Sequence, residues 1–166
     1  AMKKIVTCLR RRFHIGHVTV VADRGMISKD TIKLLAESDQ ASFDYVLGCR
    51  MRQQKEVNEA VLARAGRYQT VADNLEVKEV RVGENRYVIC RNPLEAKKDA
   101  AVREAIVDKL RCTIEKQGPK AVVGNRGYAR FLRIAKGSAT IDEDAIKRDA
   151  RLDRKFVLRT NTNLSA

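Results

Sequence analysis

Along the chain, apolar positions switch between helical and strand periods. In residues 3–13, "KKIVTCLRRRF", Ile5, Val6, Leu9 and Phe13 recur at helical spacing with basic residues opposite, which predicts a short amphipathic helix. Residues 17–23, "HVTVVAD", form a β-branched run and predict a strand. Ser28 is placed to cap a helix over about 29–37, with Ile32 and Leu35 inward, and "FDYVLGC" from Phe43 predicts a second strand. Such a βαβ unit joins parallel strands. Their nearly continuous apolar character places both inside a sheet covered by helices, with Asp23 at a carboxyl end. A further helix is expected over about 53–65, with Val57, Val61 and Leu62 on one side and Gly66 closing it.

The texture changes from Val77. "VKEVRV", "GEN" and "RYVICRN" predict an antiparallel hairpin with a three-residue loop. In "NPLE", Asn92 stands as cap, Pro93 at the first helical position and Glu95 where a capping box needs it. The helix they start is expected to run to about Gln117, with Val102, Ile106, Leu110 and Ile114 at four-residue steps, before Gly118 and Pro119. A basic segment from Lys120 to Gly137, a short helix over Asp142–Ala150 and a strand "KFVLRTN" from Lys155 complete the chain. The expected class is mixed α/β (α+β).

Composition narrows the function classes. The 166 residues are 44% hydrophobic, enough for a core in one domain, and a net charge of +13 favours a polyanionic partner, nucleic acid first. No run is long enough to span a membrane and no export signal is legible, so no membrane partner and a cytoplasmic location are expected. Ala1 ahead of Met2 reads as a cloning remnant, and the chain is expected to be a piece of something longer. The four cysteines, separated by at least 21 residues, lack the paired spacing of zinc or redox sites and read as small buried hydrophobes.

Asp23 is the residue with chemical promise. A carboxylate at the carboxyl end of a parallel strand occupies the rim where open α/β sheets gather ligands, and Gly25 lets the backbone turn away. It could equally cap the following loop or pair with Arg24. As a magnesium ligand it needs further carboxylates. Asp44 begins the neighbouring strand at the far end, Glu37 and Asp39 follow a helix returning to the opposite rim, and the strand after Asp153 has no derivable direction. His14 and His17 lack additional ligands, and "VGNRGY" lacks the full phosphate-loop pattern.

The ordered set "VVADRGMIS", "DYVLGCRMR", "RYVICRNPLEAKKDAAVREAIVDKL" and "FVLRTNTNL", covering nearly the whole chain, resembles the DDE transposases of bacterial insertion sequences, in the branch with an insertion between the second and third catalytic acids. The resemblance implies an RNase H-like core fragment. Asp23 matches the second acid of the triad, with the first expected upstream of Met2 and the glutamate downstream of Ala166. Residues 3–66 would then be a partial catalytic core, and 67–166 an insertion subdomain with a return strand toward the core. Similar sequences often have Gly after the acid matching Asp153. Arg154 stands there, so the turn into the last strand is expected to differ.

The resemblance further implies two divalent ions, Mg²⁺ or Mn²⁺, complete only in the full-length active site, with Asp23 as catalytic residue and metal ligand. The full-length protein would cut and join DNA, transposon ends and target, as a homodimer, while this fragment alone stays inactive. Candidate DNA contacts are Arg50, Arg52 and Lys55 past the second strand, and Arg126, Arg130 and Arg133 in the basic segment, where Tyr128 and Phe131 interleave. The plainer alternative buries Phe131 and Leu132 and leaves those charges solvated, as it does "RRR" at Arg10–Arg12. Two rival functions stand beside the transposase: a non-catalytic basic nucleic-acid-binding module, and a phosphotransfer or hydrolase domain with Asp23 as nucleophile.

Overall fold

The β-branched run before Asp23 forms β1 (Thr19–Ala22), and "DYVLG" forms β2 (Asp44–Gly48), paired in parallel with Val20 opposite Tyr45 and Ala22 opposite Leu47. This computed structural model describes Cys8, Arg12 and residues 18–26, 43–125 and 127–165. Cys8 and Arg12 are helical; the rest of the helix expected over 3–13, and the one over 29–37, lie outside the described residues. The chain divides into two units, Ala1–Cys90 with Phe156–Ala166, and Arg91–Lys155.

Later strands are β3 (Gln69–Ala72), β4 (Leu75–Val82), β5 (Asn85–Arg91) and β8 (Lys155–Thr160). The sheet is mixed and six-stranded, in the order β1-β2-β8-β5-β4-β3, with β8 antiparallel to β2. The structure is therefore mixed α+β. β1 is an edge strand among the described residues, and Val21 is 76% exposed. Alternate residues face opposite sides, and among the described residues the face of Val20, Ala22, Tyr45 and Leu47 is packed, together with Phe43. A second cluster gathers Cys49, Val57, Val61, Val80, Tyr87, Ile89 and Val157.

The helix expected over 53–65 is shorter and wider. Residues 55 and 56 are α-helical, and a π-helical segment Val57–Val61 follows, in which the Leu62 N–H donates to Val57 O at 2.9 Å. The wider turn keeps Val57 and Val61 buried. Beyond it, Lys78 Nζ donates to Arg64 O at 2.7 Å and lies 5.2 Å from the Tyr68 ring centre. Burial lowers the Lys78 pKa, since desolvation disfavours its charge.

"RTNT" owes its residue types to sheet closure. Past the β2–β8 ladder, Asn161 Oδ1 accepts the Tyr45 N–H and its Nδ2 donates to Phe43 O, both at 2.7 Å. Thr160 Oγ1 donates to Tyr45 O at 2.7 Å. Arg86 donates to Thr162 O at 2.7 Å and Leu164 O at 2.8 Å, and holds Glu79 at 2.7 Å, which keeps that carboxyl below its usual range.

In the unit Arg91–Lys155, Asn92 Oδ1 accepts the Glu95 N–H at 3.0 Å and starts α1 (Pro93–Gln117), as its cap signature requires. Ala96, Val107 and Leu110 are buried, while Val102, expected inward, is 60% exposed. The segment read only as basic contains a 3₁₀ turn, Ala129–Phe131, and a hairpin of β6 (Leu132–Ala135) and β7 (Ser138–Ile141). Asp142 caps α2 (Glu143–Ala150) by accepting the Ala145 N–H at 2.9 Å. Arg103 grips Asp153 through both carboxylate oxygens, at 2.5 and 2.8 Å. Arg154 adopts φ +41°, the left-handed region where glycine is at ease, and its Nε reaches Asp99 at 3.1 Å.

Three further expectations are corrected. The β4–β5 loop has two residues, Gly83 and Glu84, because Asn85 already pairs in β5. β3 was not foreseen. Cys49 is buried and Cys90 half-buried, but Cys8 and Cys112 are exposed.

Candidate active site at the carboxyl rim of β1

Because β1 and β2 run in parallel, the residues that follow them emerge on one rim. Asp23 stands there, exposed. Its Oδ1 accepts the Arg24 N–H at 2.7 Å and its carbonyl accepts the Met26 N–H at 2.9 Å, closing a turn over 23–26. The local hydrogen bond anticipated for a capping Asp23 is thus present. No contact joins its carboxylate to the Arg24 guanidinium.

The glycine this turn requires is not the one beside it. Gly25 lies outside the left-handed region, and a Cβ there would meet nothing within 4 Å. A Cβ at Gly48 would lie 2.9 Å from Arg24 N and 3.5 Å from Asp23 Oδ1. Only a residue without a side chain lets the end of β2 approach the Asp23 turn so closely. Spacing along the chain gives no hint of this, since the approach exists only once the strands pair.

Arg50 completes the rim. Its Nε donates to Arg24 O at 2.9 Å, Nη2 to Gly25 O at 3.4 Å and Nη1 to Gln53 Oε1 at 3.4 Å. Of the three cations expected beside the site, Arg50 therefore clamps the Asp23 turn. Arg52 and Lys55 are exposed on the segment that follows. Lys55 lies 3.8 Å from Glu59, a solvated pair worth little.

Asp44 pairs with Thr19 at the opposite end of β1, about 13 Å from Asp23 at 3.3 Å per residue. Glu37 and Asp39 lie outside the described residues, and Asp153 is held by Arg103. Among the described residues no group of three or more His, Cys, Asp or Glu could hold a metal ion. An exposed Asp23 carboxylate can supply one oxygen ligand to a divalent cation.

The second cationic set belongs to the other unit. Arg126 lies outside the described residues. Arg130 is exposed, its guanidinium 4.6 Å from the Phe131 ring centre, and Arg133 lies 3.6 Å from Asp142. Phe131 and Leu132 are in the core with Leu110, Val122 and Ala139, so the plainer reading holds for them and Phe131 cannot stack on a base. The described residues contain no helix long and apolar enough to cross a membrane. Comparison of the chain with known protein families, with curated proteins and with solved structures finds no match.

Proposed function

We propose that this chain is part of the catalytic domain of a DDE-type transposase, RNase H-like in its core, that cuts and joins DNA by metal-dependent phosphoryl transfer. One observation carries the reading: Asp23 stands exposed on the carboxyl rim of a parallel strand pair, with Gly48 and Arg50 fitted to its turn. The motif series around it and the net charge of +13 agree. Two bound Mg²⁺ or Mn²⁺ ions would activate the attacking oxygen and stabilise the leaving one. Asp23 would supply a carboxylate oxygen as a ligand, and Arg50 would keep the turn from swinging away. Arg52 and Lys55, with Arg126, Arg130 and Arg133, would contact phosphates. The other two acids would come from outside residues 1–166, and the full-length protein would act in the cytoplasm as a homodimer on DNA.

Incubating this chain with Mg²⁺ or Mn²⁺ and supercoiled DNA is expected to give no nicking. Robust cleavage lost in Asp23→Ala would show that the chain holds a complete metal site, against the proposal. The net charge of +13 fits a second reading as well, a non-catalytic basic nucleic-acid-binding module. DNA cutting by the full-length protein separates the two, since the module has no metal-dependent reaction to lose.

A further inference from the structure

We infer that a cavity beside the end of β2 binds a nucleotide-sized organic phosphate, with Arg159 as the partner of its anionic group. The cavity measures about 390 Å³ and lies between the sheet and the segment that enters the π-helical turn. Every residue lining it belongs to the unit that carries the six-stranded sheet.

Arg159 lies on β8 directly opposite Leu47 of β2. A guanidinium carries five N–H donors. Arg159 uses Nη2, which donates to Asn85 Oδ1 at 2.6 Å, while its Nε is shut off from solvent with no acceptor. No carboxylate among the described residues forms an ion pair with it. A half-buried cation with no carboxylate paired to it lacks an anion, because a charge without a partner is costly.

The remaining lining identifies the anion's class. Lys55 adds a second cation and Glu56 a carboxylate, leaving one net positive charge for a singly charged phosphate. Burial pushes the Cys49 thiol up to about 11 and holds the Tyr87 hydroxyl above its ordinary range, so both are neutral hydrogen-bonding groups at pH 7. Leu47, Val57 and the Tyr87 ring give apolar walls to a sugar or base. Inorganic phosphate is too small for such a space, whose volume falls in the range of sites for organic ligands.

The cavity does not depend on Asp23 binding metal. It rests on the nucleic-acid reading only for the source of the phosphate. The test is a nitrogen-15 NMR titration of this chain without divalent ions, using inorganic phosphate, thymidine 5′-monophosphate and a 5′-phosphorylated single-stranded hexanucleotide. Thymidine monophosphate, the hexanucleotide or both should saturably shift the Arg159 Nε–Hε signal and the Gly48, Cys49 and Gln54 amides. Arg159→Gln should weaken that binding at least tenfold, as expected for a charge-assisted hydrogen bond. Should that variant not fold, Glu56→Gln, on an exposed residue, should tighten binding severalfold.

Hexanucleotide-only binding would assign the phosphate to a strand, and mononucleotide-only binding to a free nucleotide; either supports the inference. Four results overturn it: no saturable shift at those signals, a folded Arg159→Gln with wild-type affinity, a Glu56→Gln that weakens binding, or inorganic phosphate binding as tightly as thymidine monophosphate.

Discussion

Replacing Gly48 by alanine presses directly on the backbone that carries Asp23. The new Cβ would sit 2.9 Å from Arg24 N, 3.6 Å from Arg24 Cα and 3.5 Å from Asp23 Oδ1. Heavy-atom contacts of this kind settle near 3.5 Å, so the turn must retreat by roughly 0.5 Å. The obstacle is main chain, and it is tied down by the Arg50 Nε bond to Arg24 O and the Met26 N–H bond to Asp23 O, each 2.9 Å. Overpacking of this sort costs about 1–3 kcal/mol.

Gly48 is not in the left-handed region, so alanine also stiffens the unfolded chain and returns about 0.4–1 kcal/mol. The two effects leave a net loss of about 0–2.6 kcal/mol, centred on about 1 kcal/mol, read as a lower urea midpoint, with the amide signals of residues 23–26 displaced. Under the proposed transposase reading, the same change in the full-length protein should slow metal-dependent cutting while DNA affinity holds. A variant with wild-type stability and unmoved Arg24 and Gly25 amides would refute the close approach on which the site is built.

Three other outcomes follow from the packing. Asn161→Ala removes the acceptor of the Tyr45 N–H and the donor to the Phe43 carbonyl and should cost about 1–3 kcal/mol, whereas Asn161→Asp keeps the acceptor and should lose less by urea unfolding. Arg154→Gly relieves the left-handed strain of about 1 kcal/mol and gives up only half-exposed pairs to Asp99 and Glu95, so the urea midpoint should hold or rise. A loss above 1 kcal/mol would show that those pairs carry the turn. On the alkaline side, the Cys49 thiol is raised from 9.0 to about 11 in the fold. Its contribution, about 2–3 kcal/mol, is therefore complete below pH 9 and disappears as pH climbs through 11. Cys49→Ala should flatten that part of the stability-versus-pH curve; an unchanged slope would mean that the thiol is not desolvated.

Local signals in the sequence served well where the physics is local. Asn92, Pro93 and Glu95 specify the start of α1 because a cap needs only its own next three residues, and Asp142 does the same for α2. The run ending at Asp23 gave the strand and the rim, since period and chain direction suffice. β3 was invisible: all four residues of Gln69–Ala72 are exposed, and an edge strand with no buried face leaves no alternation to read. The β6–β7 hairpin turns through Lys136 and Gly137, both at positive φ, yet Leu132 and Ala139 are too few buried residues to mark its strands amid the charges. Leu158 and Arg159 gave no sign that β8 would enter the sheet between β2 and β5. Gly48 and Arg159 act only through residues at least 24 positions away, the separation of Gly48 from Arg24, and no motif read along one chain reports such a meeting.

The central claim is that the Asp23 carboxylate is a metal ligand, and Asp23→Cys in the full-length protein tests it most directly, because a thiolate binds Mg²⁺ poorly and softer Mn²⁺ better. Strand cutting should vanish in Mg²⁺ and return in Mn²⁺, with DNA affinity unchanged in both. Undiminished cutting in Mg²⁺ would contradict the claim.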